Sequence, residues 1–290
     1  MTSSTGSALA RDLLALCKPG IVRMCVLMTL GGLWLAPDSA HVSTVLAVVL
    51  GSALAVAAAS ALNMVVECVP DRRMKRTADR PVAAGRISPA FAGGFAMLLW
   101  AVGMAVLLVG TNVLTTVLAA FALLSYVFIY TPLKYRTPLA LVIGAVPGAV
   151  PPLLGWTAVT NEVGGGGIVL ASILFLWQMP HFLAFACRRR DEYARADVRC
   201  VPVVRGSTVA RIQATAWAAG LVPVSLLLTP LGVTGWFYFV CALLLGIGYF
   251  GCAAWGLFPS SRDRWPRTLF LVSLLYLPAL TLALVIDINL

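Results

Sequence analysis

The 290-residue chain is 60% hydrophobic and only 11% charged, which excludes a soluble domain with an ordinary polar surface and makes lipid the solvent for most of it. Its 21 Lys and Arg against 11 Asp and Glu give a formal net charge of +10. In a soluble protein that excess would raise nucleic acid as a partner; here the placement of the charges gives it a different meaning, and no nucleic acid is expected.

Apolar runs near or above about 18 residues, each long enough to cross a hydrocarbon core as a helix, recur along the chain. In order they cover residues 20–36, 42–66, 90–110, 113–131, 138–159, 166–186, 209–230, 235–257 and 268–288, which predicts an all-α polytopic membrane protein of nine spans. Every Lys and Arg falls in alternate connections. Arg11, Lys18 and Arg23 precede or open the first span, Arg72 to Arg86 join the second to the third, and Lys134 and Arg136 join the fourth to the fifth. Arg188 to Arg211 join the sixth to the seventh, and Arg262, Arg264 and Arg267 the eighth to the ninth. The other connections, around Asp38, Asn112, Glu162 and Thr234, carry none. The positive-inside rule then predicts a bacterial-type inner membrane protein with a cytosolic N-terminus and an external C-terminus. Residues 1–12 read as a flexible cytosolic start with no removable signal peptide, in a single membrane domain over 1–290. The seven cysteines form no C-x-x-C pair and read as small apolar fillers.

Two connections are long and hold most of the charge, so polar function is concentrated at one membrane face. In the first, Asn63, Glu67 and Asp71 are spaced by four and would share one face of a continuous helix. Oxygen ligands converging at a water-accessible helix end suit Mg²⁺, which takes one or two carboxylates and completes its shell with water and phosphate. Arg72, Arg73, Lys75, Arg76 and Arg80 follow at once, a supply of cations for a diphosphate. Taken alone, the basic run also fits a topology signal resting on anionic lipid. Pro70 lacks a backbone donor and biases its predecessor away from the helical region, so Asp71 is open to leaving that face.

The second long connection carries His181, Arg190, Asp191, Glu192 and Tyr193. Its acids among cations suggest a second metal or diphosphate subsite facing the first. His181, after Pro180, reads either as an interfacial histidine satisfied by a carbonyl or as a ligand or acid-base group. Pro147, Pro151 and Pro152 are expected to break the fifth span, as packing punctuation or as cavity lining.

Lys18-Pro-Gly-Ile-Val, Asn63 to Pro81 with Met74-Lys-Arg-Thr77 and Arg80-Pro81, Gly85-Arg-Ile-Ser-Pro89 and Tyr130-Thr-Pro-Leu-Lys134 together resemble the UbiA superfamily of intramembrane prenyltransferases. Gly148 to Trp156, Trp177-Gln-Met-Pro-His-Phe182 and Pro202-Val-Val extend the likeness over nearly the whole chain and direct it to the heme o synthase branch, the protoheme IX farnesyltransferases. The resemblance implies a bundle of nine helices around a cavity opening to the cytosol. It implies farnesyl diphosphate, Mg²⁺ and heme b as donor, metal and acceptor, with membrane lipid around them and contact with heme A synthase or oxidase assembly proteins. Carried over by position, Asn63, Glu67 and Asp71 form the first metal motif. Arg76, Arg80 and Lys134 become diphosphate contacts, and Glu192 with Tyr193 takes the place of an Asp-Tyr pair, with Asp191 beside it as a further metal candidate. The chain departs from the family where Glu67 and Glu192 replace Asp, where Cys68-Val69 replaces Arg-Asp, and at Asp197-Val-Arg-Cys200.

Other readings keep the fold and change the acceptor to a quinone precursor or another aromatic, or keep heme binding without catalysis. A transporter would show polar residues near the bilayer centre and related halves, and neither is clear in this sequence.

Overall fold

The computed structural model describes residues 3–261 and 263–288; Arg262, one of the basic residues of the last connection, lies outside the described residues. Backbone donors and acceptors in hydrocarbon must be satisfied within their own segment, and the chain accordingly forms helices, with no strand among the described residues. In order they are α1 (Ser3–Cys17), α2 (Pro19–Trp34), α3 (Val42–Val66), α4 (Cys68–Arg72), α5 (Pro89–Gly110) and α6 (Val113–Leu124). A π-helical turn, Ser125–Tyr130, leads into α7 (Thr131–Leu133). Then follow α8 (Ala140–Thr160), α9 (Gly165–Arg188), α10 (Arg190–Arg195), α11 (Val201–Val204), α12 (Gly206–Leu226), α13 (Trp236–Trp255) and α14 (Trp265–Ile288).

Seven of the described segments are long and apolar enough to cross a membrane, and the chain is a multi-pass membrane protein. The pair Gly6–Cys17 and Pro19–Trp34, bent by 47°, makes an eighth where it counts as one span. The seventh of the expected spans, α12, begins Gly-Ser-Thr-Val-Ala-Arg-Ile-Gln, and its polar first two turns keep it below the apolar standard of the others.

Small residues set how closely the helices pack, since apolar side chains gain little over lipid tails and association rests on close van der Waals contact. Between α2 and α8 the approach is reciprocal: a Cβ on Gly32 would run into the Pro152 carbonyl, and one on Gly155 into the Thr29 carbonyl. Between α3 and α5 a Cβ on Gly103 would stand 3.0 Å from that of Leu54 and 3.2 Å from the Gly51 carbonyl oxygen. The other side of the bundle, α9 with α12, α13 and α14, uses large side chains whose polar tips bond carbonyls. Trp177 Nε1 donates to Ser273 O at 2.9 Å, Trp265 Nε1 to Ala253 O at 3.0 Å and Tyr249 OH to Trp177 O at 3.2 Å.

Helix α1 docks on the bundle through its second half: Leu16 is fully buried with Ala61 and Met64 of α3, and Asp12 accepts from Arg86 Nε at 3.1 Å. One expectation is corrected. The prolines of the fifth span do not break it. Helix α8 runs unbroken through Pro147, Pro151 and Pro152, with α9 packed alongside and Gln178 Nε2 donating to Ala145 O at 2.9 Å.

Gly155→Leu places a side chain against backbone that cannot swing away, and should cost about 1–3 kcal/mol of stability. Thermal inactivation of the detergent-solubilised protein measures it; a wild-type profile would show that α2 and α8 have room to spare.

Candidate active site

Helix α3 stops at Val66, Glu67 takes φ −91° and ψ 8°, and α4 resumes at once. Pro70 is the third residue of α4, in the first turn, where amide protons have no helical partner to lose. The four-residue step therefore survives: Glu67 N donates to Asn63 O and Asp71 N to Glu67 O, both at 2.9 Å. Asn63, Glu67 and Asp71 are only 2%, 4% and 1% exposed. All three line one cavity of about 250 Å³.

Buried carboxylates need cations beside them, and distant segments supply these. Arg80 Nη1 lies 2.7 Å from Asp71 Oδ2 and 3.8 Å from Glu67 Oε2. Lys134 Nζ pairs with Glu67 Oε1, which also accepts from Tyr135 OH at 2.9 Å. Burial, followed by repulsion from Lys18, pulls the Lys134 ammonium down from its ordinary value to about 7. Burial, reinforced by the Asp71 charge, raises the Tyr135 hydroxyl, so it stays a donor to Glu67 at neutral pH.

Lys18 completes the polar wall. Pro19 disfavours the right-handed helical region for the residue before it, and Lys18 takes φ 48° and ψ 68°, which turns the chain between α1 and α2. Its Nζ donates to Asn63 Oδ1 at 2.9 Å. Asn63 Nδ2 donates to Thr131 Oγ1 at 3.3 Å, and Thr131 Oγ1 in turn to Tyr126 O at 2.8 Å. That carbonyl belongs to the π-helical turn, whose extra residue brings both Tyr126 and Tyr130 to the cavity, their rings 5.3 Å apart.

Of the residues singled out from sequence, the cavity gathers Asn63, Glu67, Asp71, Arg76, Arg80, Lys134 and Tyr193. Others stand outside its lining. Arg72 Nε donates to Ala83 O at 2.9 Å, and Lys75 and Arg190 are exposed. Asp191 is exposed and Glu192 pairs with Arg189 at 3.4 Å. Successive residues of a helix point about 100° apart, so when α10 aims Tyr193 at the cavity the two acids before it aim elsewhere. His181 lies on α9 between Trp177 and Phe270, with Nδ1 2.7 Å from Ser273 Oγ. Lys18, Tyr126, Tyr130 and Tyr135 line the cavity without having been singled out as site residues. The Lys18-Pro19 step was the available signal, since it forces a turn at the head of an apolar run.

The chain matches the UbiA prenyltransferase family over residues 25–275. It is 45% identical over 278 residues to a protoheme IX farnesyltransferase of Myxococcus xanthus, a match covering 96% of this chain and 95% of that one. To the protoheme IX farnesyltransferase of an Anaeromyxobacter species it is 44% identical, with 98% of each chain covered. The chain belongs to the UbiA prenyltransferase family. Its fold is shared with a digeranylgeranylglyceryl phosphate synthase, at a TM-score of 0.80 and 17% identity over 96% of this chain and 98% of that one. It is shared as well with a UbiA homologue from Archaeoglobus fulgidus bound to GPP and Mg²⁺, at a TM-score of 0.68 and 15% identity over 94% and 99%.

For a UbiA protein the question is whether these side chains fit a divalent metal. Among the described residues no group of three His, Cys, Asp or Glu side chains forms a metal cage. Mg²⁺ does not require one, because one or two carboxylates and substrate phosphate oxygens satisfy it. Asp71 Oδ1 is buried and has no hydrogen-bond partner, an acceptor left over after Arg80 has taken Oδ2. The residues fit a metal held jointly with a bound phosphate.

Cations on the cavity wall should bind an oxyanion. Lys18→Met, Arg80→Met and Lys134→Met are each expected to weaken inorganic diphosphate about tenfold or more in the full-length protein, the scale of one charge-assisted hydrogen bond. Arg195→Met, on the exposed side of α10, should change it less than about twofold. Titration calorimetry reads both, and equal losses at all four positions would dissolve the distinction.

Proposed function

We propose that the protein transfers the farnesyl group of farnesyl diphosphate to a vinyl group of heme b, giving heme o. The observation that carries this reading is the buried Asp71, with one oxygen unpartnered, facing a cavity whose wall bears Lys18, Arg76, Arg80 and Lys134. Relatives 44–45% identical over nearly the full chain bear the name protoheme IX farnesyltransferase, which supports the choice of donor and acceptor.

The diphosphate sits among Lys18, Arg76, Arg80 and Lys134, which take up the charge that grows on it as its bond to farnesyl C1 lengthens. Glu67 and Asp71, with the Asn63 amide oxygen nearby, would hold Mg²⁺, which supplies further neutralisation of that charge when bound. Tyr135 and Arg80 keep the two carboxylates oriented. A second, apolar cavity of about 140 Å³ shares Ile21 and Tyr126 with the first and takes the isoprenoid tail. Its wall of Ala55, Ala59, Ala122, Leu123 and Leu154 excludes water from the allylic cation. The heme vinyl attacks C1, and water adding to the resulting cation with loss of a proton leaves a hydroxyethylfarnesyl group.

The same proposal has nine spans, counting bent α1–α2 as the first and α12 as the seventh, around a cavity that opens to the cytosol. The alternation of basic and uncharged connections supports a cytosolic N-terminus, an external C-terminus and an inner-membrane location. Helix α12 is held between α9 and α13 by the fully buried Ala210, Ala214 and Ala218. The product is too apolar to cross water freely, so transfer to heme A synthase or oxidase assembly proteins within the membrane belongs to the reading.

Purified full-length protein with Mg²⁺, farnesyl diphosphate and heme b should yield a heme whose mass has grown by farnesyl and water. Asp71→Asn should lower that rate about 100-fold or more, and chelation of divalent metal should abolish it until Mg²⁺ is returned. Intact heme binding with no turnover would sink the enzyme reading, and product from a quinone precursor but not from heme would sink the acceptor.

A further inference from the structure

The apolar cavity beside the ion cluster has a definite depth, and the mechanism above uses only its walls. Helix α3 lines it with Ser52, Ala55, Val56, Ala59 and Ser60, the three- and four-residue steps of one helical face. That face continues through Asn63 to Glu67, so one side of α3 carries both the ion cluster and the tail cavity. The neighbouring helices line the cavity over the same depth, α6 from the border residue Tyr126 back to Ala119 and α8 from Pro147 on to Leu154. Ser52, Ala119 and Leu154 are therefore the lining residues of α3, α6 and α8 farthest from the diphosphate, and all three are buried. They form the floor.

The floor is held from beneath. Ala119 and Leu154 belong to a packed cluster that continues below them with Val48 and Leu107, both fully buried. Leu107 is pressed onto α3 at Gly51, where a Cβ would stand 2.5 Å from its Cγ. About one turn beyond the floor α6 and α8 are tied together: Thr115 Oγ1 and Thr157 Oγ1 lie 2.9 Å apart, and Asn112 Nδ2 donates to Thr157 O at 2.7 Å. Breaking these bonds would strand buried polar groups, so the two helices resist parting to lengthen the cavity.

We infer that Ser52, Ala119 and Leu154 are a chain-length ruler, which admits three isoprene units and refuses a fourth. The inference rests on the tail lying in this cavity, as in the function proposed above, and does not depend on the acceptor. A diphosphate held by Lys18 and Arg80 puts C1 at the level of Asn63, where the two cavities meet at Ile21 and Tyr126. From Asn63 to Ser52, α3 rises about 16 Å. An isoprene unit adds four chain bonds, about 5 Å when extended, by the bond geometry that gives a three-bond residue about 3.5 Å. Three units from C1 end at the floor. A fourth would need the space that Val48 and Leu107 fill.

Titration calorimetry of the full-length protein in detergent with Mg²⁺ and geranyl, farnesyl or geranylgeranyl diphosphate, with no acceptor present, tests this. Wild type should bind the farnesyl compound more than about tenfold more tightly than either of the others: the shorter tail buries less apolar surface, and the longer one has a unit with no room. Leu154→Ala removes part of the floor and should raise the ratio of geranylgeranyl to farnesyl affinity more than about tenfold over wild type. Val56→Phe, one turn above Ser52, raises the floor and should shift the ratio of geranyl to farnesyl affinity upward by a similar factor. Each ratio is taken within one preparation and compared with wild type, so neither a loss of folded protein nor partition of the ligands into detergent can produce the change. Wild-type ratios in both variants overturn the ruler, as does a wild type that binds the four-unit compound as tightly as the three-unit one. Farnesylated heme from wild type together with unchanged ratios in the variants overturns the ruler alone. The expected ratios with no product from heme support the ruler and overturn the transferase reading.

Discussion

Glu67 and Asp71 are carboxylates almost wholly removed from water in a protein made mostly of apolar helices, and much of the architecture around them follows from that placement. Each has to be answered by a cation, and neither finds one on its own helix. Arg80 comes from the chain after α4, Lys134 from the end of α7, and Lys18, through Asn63, from the turn before α2. Three stretches far apart in sequence are thereby drawn to one end of α3. The cluster is nevertheless incomplete, since Asp71 Oδ1 has no partner and four cations face open volume. An ion cluster made only for stability would leave neither.

The backbone departs from regular helix where this cluster requires it. Lys18 is left-handed, the helix is interrupted at Glu67, and a π-helical turn occupies Ser125–Tyr130. All three segments contribute side chains to the same cavity. Prolines elsewhere have no such effect, and α8 carries three without interruption. A non-glycine residue in the left-handed region costs about 1–3 kcal/mol, and Lys18 persists there because Pro19 disfavours the alternative and Asn63 receives the ammonium. The irregularities are therefore directed: each turns a polar side chain toward a cavity at a depth where lipid would reject it.

What could be read from the sequence was what depends on near neighbours. Apolar runs gave the helices, and the four-residue step of Asn63, Glu67 and Asp71 gave their common face, because both are set within one or two turns. What could not be read depends on packing. Lys18 serves as a topology marker by the counting of charges, and only the packing of α1 and α2 against α3 brings its ammonium to Asn63. Tyr135 reaches Glu67 across 68 positions of sequence. Asp191 and Glu192 show the opposite outcome. Their composition matched a second acidic motif, but the rotation of α10 brings Tyr193 to the cavity and leaves Glu192 to Arg189. Sequence spacing can say which side chains share a face; it cannot say which way that face turns.

A polar cavity and an apolar one meet at Tyr126 and Ile21, and this border bears on how a carbocation could survive in the site. The diphosphate must lie among cations, which repel a cation forming next to them. The charge left on the allylic carbon is therefore better stabilised on the other side of the border. Tyr126 stands at that border, lining both cavities, with an aromatic ring that attracts positive charge without a lone pair placed to trap it as strongly as water would. The hydroxyl of Ser52 on the apolar wall is turned back to the Val49 carbonyl at 3.2 Å. Separating the departing anion from the forming cation requires a polar and an apolar compartment within a few ångströms of each other. A helical bundle at the edge of a bilayer provides both, with the ion cluster at one end of α3 and the lipid-like wall along its length.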